Sequence, residues 1–319
     1  MDEGLRAMTQ DTTVRFGLVG TGYWARETHA PGIAAAAGAT LAAVWGRDRA
    51  AASALAAGYG AVGHDDFDAF LAQVDAVSFA VPPDVQPALA MRAAAAGRHL
   101  LLEKPMALDE AAGDQLVAAV QSSGVAALVF FTHLFSPPAV SWFEEVDADP
   151  WLGGDAYWLG SALADENPFN TPWRRRYGGL WDVGPHAVVD LWRTLGPVVR
   201  VTAELGAPDV THLVLHHEGG VSSTSTLTLS APDAADGFTM MLWGPRGRAR
   251  MPIDDVDSMT ALTVAAEALA VMARTGRRDH RASVQMGRDV LHVLADAQRQ
   301  LDAQRQLDAQ RQPDAGSRP

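Results

Sequence analysis

Three side chains stand in a pattern suited to moving a proton on and off an oxygen atom. Lys104 is the single lysine among the 25 basic residues of this 319-residue chain, and Asp182 and His186 follow it later in the sequence. Imidazole titrates near neutrality and can exchange a proton, while an ammonium group stabilises a developing alkoxide. The set predicts interconversion of an alcohol and a carbonyl, with Asp182 orienting the His186 ring.

The segment around His186 predicts where that side chain lies. Pro185 suits the first turn of a helix, and Gly196-Pro197 would end that helix after Leu195. His186 would then stand at the positive end of the helix dipole, which favours neutral imidazole over imidazolium. A neutral His186 would be ready to accept a proton.

A glycine-rich turn near the start of the chain predicts a dinucleotide site. The apolar segment Val14–Val19 precedes it, and a helix is predicted from about Tyr23 to Ala37. The turn fits the G-x-G-x-x-G/A pattern in its required strand–turn–helix context. Its candidate cofactor contacts are Gly20, Thr21, Gly22, Tyr23 and Trp24, followed by Ala25. The alternative is a glycine turn that binds no ligand.

The end of the second predicted strand bears on which dinucleotide is bound. An NAD site usually has Asp or Glu there, but this strand ends Val44-Trp45-Gly46-Arg47-Asp48. A guanidinium suits a 2′-phosphate, so Arg47 favours NADP(H), with NAD(H) possible. In the alternative, Arg47 is solvated and Asp48 binds the ribose.

The elements that must position these residues form an alternating pattern over 14–131. Strands are predicted at Val14–Val19, Thr40–Trp45, Val74–Val81, Leu100–Glu103 and Val125–Phe131, with helices between them. Such alternation predicts an α/β fold with a doubly wound parallel sheet, a Rossmann domain. Ligands bind at the carboxyl edge of such sheets, where Pro82, Glu103 and Lys104 would lie.

The second half of the chain has a different pattern. Strand-like segments are predicted at Ala156–Gly160, Val198–Leu205, Thr211–His217, Val221–Leu229 and Phe238–Leu242, with helices at Met259–Arg274 and Val284–Ala297. This predicts a C-terminal α/β domain with a mostly antiparallel sheet. The predicted boundaries are a tail at 1–13, a Rossmann domain at 14–131, a substrate and dimerisation domain at 132–297 and a tail at 298–319.

Two motifs together carry a family resemblance over about 14–297. The tripeptide Glu103-Lys104-Pro105 after a Rossmann half, with Asp182-x-Gly184-x-His186 in a second domain, resembles the Gfo/Idh/MocA oxidoreductases. The resemblance implies NAD(P)-dependent hydride transfer on a sugar-like or cyclic hydroxyl compound. It implies that Lys104 is the catalytic lysine, and that Asp182 and His186 complete the site.

The resemblance also implies contacts and partners. Trp173-Arg174 matches a substrate-facing pair, although surface ion pairing is the alternative for the arginines Arg174-Arg175-Arg176. The large open sheet implies a homodimer or homotetramer. Three departures bear on the substrate class: Gln86 stands where relatives often have His, His133 stands near the position after the fifth strand where an Arg is common, and Gly178-Gly179 is followed by Leu180-Trp181.

Composition excludes several other classes of function. The net charge is −13 and there is no cysteine, which argues against nucleic-acid and membrane partners and against thiolate chemistry. No metal site is predicted, because His64-Asp65-Asp66 is better explained as a helix entry. The chain is expected to be cytoplasmic. Two alternatives keep the nucleotide site: a redox-assisted lyase or hydrolase that retains its cofactor, and a non-catalytic sensor.

The tail contains a repeat of six residues, Asp-Ala-Gln-Arg-Gln-Leu, beginning at Asp296. A period of six matches neither 3.5 nor 3.6 residues per turn, so it leaves no continuous apolar stripe. The tail is therefore predicted to be a frayed helical extension followed by disorder, with a coiled-coil partner site as the alternative.

Overall fold

A computed structural model describes residues 13–147, 149–253 and 256–311. The described chain divides into two compact units. The first unit contains the described residues up to Met106, then Asp114–Ser136 and Asp257–Val284. The second unit contains Ala107–Gly113, the described residues from Pro137 to Val256, and those from Gln285 onward.

Strands and helices alternate first and then separate into groups. The strands are Val14–Val19 (β1), Ala39–Trp45 (β2), Val62–His64 (β3), Ala76–Phe79 (β4), His99–Glu103 (β5), Ala127–Phe130 (β6), Gly153–Leu159 (β7), Val198–Leu205 (β8), Thr211–His217 (β9), Ser222–Thr228 (β10), Gly237–Gly244 (β11) and Gly247–Arg250 (β12). The α-helices are Ala30–Ala35 (α1), Arg49–Ala57 (α2), Phe67–Leu71 (α3), Gln86–Ala95 (α4), Glu110–Ser123 (α5), Pro137–Val146 (α6), Pro172–Asp182 (α7), Gly184–Leu195 (α8), Ser258–Thr275 (α9) and Val284–Arg311 (α10).

The first unit is built on a six-stranded parallel sheet in the order β3-β2-β1-β4-β5-β6. The central strand β4 and the edge strand β6 are buried along their whole length, as expected for a parallel sheet covered on both faces. The order reverses between β1 and β4, and such a switch point opens a crevice at the carboxyl edge. The predicted doubly wound fold is confirmed.

Capping side chains explain where several helices of this unit begin. Asp48 accepts hydrogen bonds from the backbone N–H groups of Ala50 and Ala51 at the start of α2. Asp66 does the same for α3, so the His64-Asp65-Asp66 stretch is a helix entry, as predicted. Each cap satisfies donors that have no partner within the helix.

The second unit has a six-stranded mixed sheet in the order β12-β11-β7-β10-β9-β8. Only the β7–β10 pair is parallel among these described strands, which confirms the mostly antiparallel prediction. Ala156, Leu213, Leu227 and Met240 fill the buried face, and helix α8 packs on β7 and β10. The opposite face carries exposed Tyr157, Val214 and Trp243.

Residues 257–284 differ from the predicted division at 132–297, because they group with the first unit. Helix α9 packs on α1 and β5 through buried residues such as Ala265 and Leu269. The Val129 N–H donates to the Ala282 carbonyl at 2.8 Å, and Leu128 pairs with Ser283. These contacts complete the β6 edge of the first sheet.

The predicted helical extension is present over the described part of the tail, where α10 continues to Arg311, but it is packed and not frayed. Leu301 is buried, and the Trp181 indole N–H donates to the Gln298 side chain at 2.8 Å. Packing against the second unit stabilises a helix that the repeat pattern alone would not fix. Residues 1–12 and 312–319 of the predicted tails lie outside the described residues.

Within the described ranges, no helix combines the length and apolarity that crossing a membrane requires.

Candidate functional site

The glycine turn has the backbone geometry that the sequence predicts. Gly20 has φ 120°, and a Cβ at this position would collide with the Ala80 carbonyl oxygen. A Cβ on Gly22 would meet no atom within 4 Å, so the backbone there faces open space. The Arg26 guanidinium donates to the Thr21 carbonyl at 2.8 Å and ties the turn to the following helix. The turn can therefore let a phosphate approach its backbone closely.

The end of β2 has no room for the acidic side chain of a typical NAD site. A Cβ on Gly46 would lie 2.9 Å from the Thr21 methyl carbon. Asp48 Oδ1 is already accepting the two amide protons that begin α2, at 2.8 and 3.2 Å. Arg47 lies exposed between these two residues. The charged group presented here is thus cationic.

The Glu103–Lys104 segment ends β5 at the same sheet edge as the glycine turn that ends β1. The fully buried Gln86 holds this strand end: its Oε1 accepts from the Glu103 N–H, and its Nε2 donates to the Glu103 carbonyl, both at 2.8 Å. The Lys104–Pro105 peptide is cis. Gln86 therefore supports the backbone, and Pro82 accepts from the Gln86 N–H at 3.1 Å.

A buried hydrogen-bond network around Glu103 was missed by sequence reasoning. Trp24 Nε1 donates to Glu103 Oε1 at 2.7 Å, and His29 Nε2 lies 3.0 Å from the same oxygen. The Lys104 N–H donates to Glu103 Oε2 at 3.0 Å. The other ring nitrogen of His29 lies 2.9 Å from Ser78 Oγ. The signal in the sequence was a histidine, His29, a few residues after the glycine turn. A regular α-helix over this segment predicts no hydrogen-bond partner for it.

In the second unit, the predicted residue Asp182 has a defined cationic partner. Arg174 Nε donates to Asp182 Oδ2 at 2.7 Å, and both side chains are mostly buried. The Arg174 guanidinium also lies over the rings of Trp173 and Phe169, at 4.6 and 5.1 Å from their centroids. The substrate grip predicted for Arg174 is untested, and its charge is engaged by Asp182.

His186 lies in the first turn of α8, directly after Pro185, as predicted. The ring is buried and stacks on Trp158, with centroids 4.9 Å apart and planes inclined by 23°. Trp158 in turn contacts Phe238 at 4.6 Å. The imidazole therefore packs on Trp158 of β7, and Phe238 of β11 supports the Trp158 ring.

The predicted site residues therefore form two groups, one in each unit. The group of the first unit contains Gly20, Thr21, Gly22, Tyr23, Trp24, Arg47, Pro82, Glu103 and Lys104. The group of the second unit contains Trp173, Arg174, Asp182 and His186. The first group contains the residues predicted to bind a dinucleotide, together with Lys104. The second contains His186, which is predicted to act as acid and base.

Comparison with known proteins bears directly on the first group. Residues 14–131 match a family model described as the Gfo/Idh/MocA oxidoreductase family with an NAD-binding Rossmann fold. This range includes the glycine turn, Arg47 and the Glu103-Lys104-Pro105 tripeptide.

The match spans 118 of the 319 residues, so the similarity to the Gfo/Idh/MocA oxidoreductases holds for this segment of the chain.

Individual relatives resemble parts of this chain. An uncharacterised oxidoreductase of Rhizobium meliloti is 40% identical over 100 residues, 30% of each chain. Inositol 2-dehydrogenase of Rhizobium meliloti (strain 1021) is 34% identical over 136 residues, 42% of this chain and 41% of the relative. The chain thus matches less than half the length of either relative.

The fold likeness extends further than the sequence likeness. The structure of UDP-N-acetylglucosamine 3-dehydrogenase from Acidithiobacillus ferrooxidans superposes with a TM-score of 0.78 and 21% identity, covering 91% of this chain and 98% of that one. This chain therefore shares its fold with that solved structure.

A further histidine, His217, has structural hydrogen-bond partners. His217 is buried and bonds to the Gly196 carbonyl at 2.7 Å and to Ser223 Oγ at 2.8 Å. Burial lowers the pKa of His217. Within the described residues, His, Asp and Glu side chains form no group of three or more arranged to hold a metal.

Proposed function

We propose that this protein is an NAD(P)-dependent dehydrogenase that interconverts a secondary alcohol and a ketone on a sugar-like or cyclic small molecule. One observation carries the proposal: Lys104 follows β5 at the carboxyl edge where the glycine turn ends β1. Ligands bind at this edge of open α/β sheets. Relatives whose names give inositol and UDP-N-acetylglucosamine as substrates support the substrate class.

The proposed chemistry gives each residue one task. In the oxidative direction His186 accepts the hydroxyl proton, while Lys104 donates a hydrogen bond to the same oxygen and stabilises its negative charge. The carbon–hydrogen bond breaks with its electron pair, which a nicotinamide dinucleotide held at the glycine turn would accept as hydride. Asp182, held by Arg174, completes the polar set beside α8.

The residues at the end of β2 favour NADP(H) over NAD(H) in this proposal. Arg47 is available for a 2′-phosphate, Gly46 has no space for a carboxylate side chain, and Asp48 is engaged as a helix cap. Arg47→Ala should weaken NADP(H) binding about tenfold to a hundredfold and leave NAD(H) affinity nearly unchanged. Equal affinity losses for both dinucleotides, measured by calorimetry, would contradict this preference.

A screen of cyclitols, sugars and nucleotide sugars, read by the absorbance of reduced nicotinamide, tests the function. Substrate-dependent cofactor reduction is expected, with Lys104→Ala lowering kcat about a hundredfold or more. Turnover without net cofactor reduction would instead indicate the redox-assisted lyase. Tight cofactor binding with no turnover of any compound would indicate the sensor.

Self-association through the second sheet is part of the same proposal. Tyr157, Val214 and Trp243 lie exposed on the face opposite α8, and a second copy of this chain would cover them. Sedimentation should give a dimer or tetramer, and Val214→Asp should shift it toward monomer. A monomeric wild-type chain at micromolar concentration would overturn this part.

A further inference from the structure

The π-helical turn that follows the glycine loop gives one carboxylate oxygen two donors. An α-helix turns about 100° per residue, so side chains five apart would point about 140° away from each other. Trp24 and His29 are five apart and both reach Glu103 Oε1. The segment Ala25–His29 is π-helical, and the Ala30 N–H donates to the Ala25 carbonyl across five residues. The wider turn brings the two side chains to the same side.

This arrangement leaves the second carboxylate oxygen for the lysine backbone. Glu103 Oε2 accepts from the Lys104 N–H at 3.0 Å, while the Glu103 main chain is held by Gln86. Three donors from three positions thus converge on one mostly buried carboxylate. A carboxylate with these donors is fixed in orientation.

We propose that His29 is a positioning residue for Lys104, acting through the Glu103 carboxylate. His29 is fully buried and lies between Ser78 on β4 and Glu103 on β5. Its Nε2–H fixes Glu103, and Glu103 fixes the peptide from which the Lys104 side chain extends. The π-turn is the element that makes this reach possible, in keeping with the frequent occurrence of such turns at functional positions.

The inference rests on the proposed function only for its catalytic consequence. The positional claim concerns the first unit alone and is measurable without substrate or cofactor. Amide hydrogen exchange at Lys104 reports the Glu103 hydrogen bond directly, since a loosened acceptor exposes that N–H to solvent.

Two matched variants separate the His29–Glu103 hydrogen bond from the volume of the ring. A glutamine amide nitrogen stands close to the position of histidine Nε2, whereas an asparagine amide stands close to Nδ1. In His29→Asn the Lys104 amide should exchange about tenfold faster, and in His29→Gln within about threefold of wild type. Trp24→Phe, which removes one N–H and keeps a ring, serves as the second variant if His29→Asn fails to fold. It should also accelerate exchange.

A second experiment measures kcat and KM with the cofactor-loaded enzyme and the substrate found by the screen. His29→Asn should lower kcat about tenfold to a hundredfold with KM within threefold, because small misplacement of a catalytic group is costly. His29→Gln should recover most of kcat. Unchanged Lys104 exchange in both His29→Asn and Trp24→Phe, or equal losses in the Asn and Gln variants of His29, would overturn the inference. A wild-type enzyme without hydride transfer would overturn the proposed function while the exchange data still decide the positioning role.

Discussion

At the scale of single residues, the main observed contact of Asp182 is an ion pair with Arg174. The sequence places Asp182 before α8 and suggests that it orients His186, whereas the structure gives it a close ion pair with Arg174. Trp173 and Phe169 lie against the guanidinium and limit its hydration. Removing one partner of such a buried pair leaves the other charge without compensation.

Arg174→Ala should therefore cost about 3 kcal/mol of unfolding free energy. The neighbouring Arg175→Ala, an exposed arginine in the same helix turn, is the matched control and should cost about 0.5 kcal/mol or less. Urea denaturation measures both, and combining Arg174→Ala with Asp182→Asn should recover part of the loss. Equal midpoints for the two arginine variants would show that the pair contributes nothing.

At the scale of elements, side-chain amides of α10 complete the open edge of the second sheet. Gln300 bonds to the Ala203 N–H and the Val201 carbonyl, and Gln304 bonds to the Leu205 N–H and the Ala203 carbonyl. Four helical residues rise about 6.0 Å, close to the roughly 6.6 Å spanned by two residues of a strand. The two glutamines therefore imitate a neighbouring strand along β8.

The double variant Gln300→Ala/Gln304→Ala should lower the unfolding free energy by about 2 kcal/mol and accelerate amide exchange at Ala203 and Leu205. It should also aggregate faster, because an unpaired strand edge is a template for another strand. Gln306→Ala/Gln310→Ala, at the same spacing on an exposed face, is the control. Identical exchange rates in the two double variants would refute the role of the amides.

The strands and helices differed in how well the sequence predicted them. The long apolar strands β1, β5 and β6 were found because burial on both faces leaves continuous hydrophobic runs. The three-residue strand β3 and the Gly-Arg-Ala-Arg strand β12 were missed, since neither has an apolar run. Helix α7 was missed because it contains three arginines and is kinked at Gly178.

For the candidate site, the positions of some residues were predictable from the sequence, and the contacts of others were not. Gly20 and Lys104 lie where their motifs place them, because motif and strand end coincide. The partner of Asp182 and the role of His29 were not predictable. Each depends on a local departure from the regular α-helix, a kink in one case and a π-turn in the other.

At the scale of the whole molecule, histidines that burial, partial or complete, favours in the neutral form make both units sensitive to acid. Burial lowers the pKa of His99 and His280 in the first unit and of His217 in the second. The pKa of His280 falls from 6.5 to about 4. Its ring stacks on Phe135, and its Nδ1 accepts from the Ala282 N–H at 3.1 Å.

For His280 the sign of the effect follows from proton counting. Between pH 6.5 and about 4 the unfolded chain binds a proton that the folded chain excludes, so stability falls as the pH is lowered through this range. In His280→Asn, whose amide oxygen can accept the same backbone N–H, the decline should be shallower. Unfolding free energies measured across this range test this, and parallel curves for variant and wild type would contradict it.

The glutamine ladder also bears on how the chain tolerates errors in copying its repeat. The units beginning at Asp296 and Asp302 are identical through six residues, and the unit beginning at Asp308 differs only in its last residue. Loss or gain of one whole unit by slippage therefore leaves every residue through Gln306 unchanged, including Gln298, Gln300, Leu301 and Gln304. The length of this segment can drift between generations while the protected strand edge stays the same.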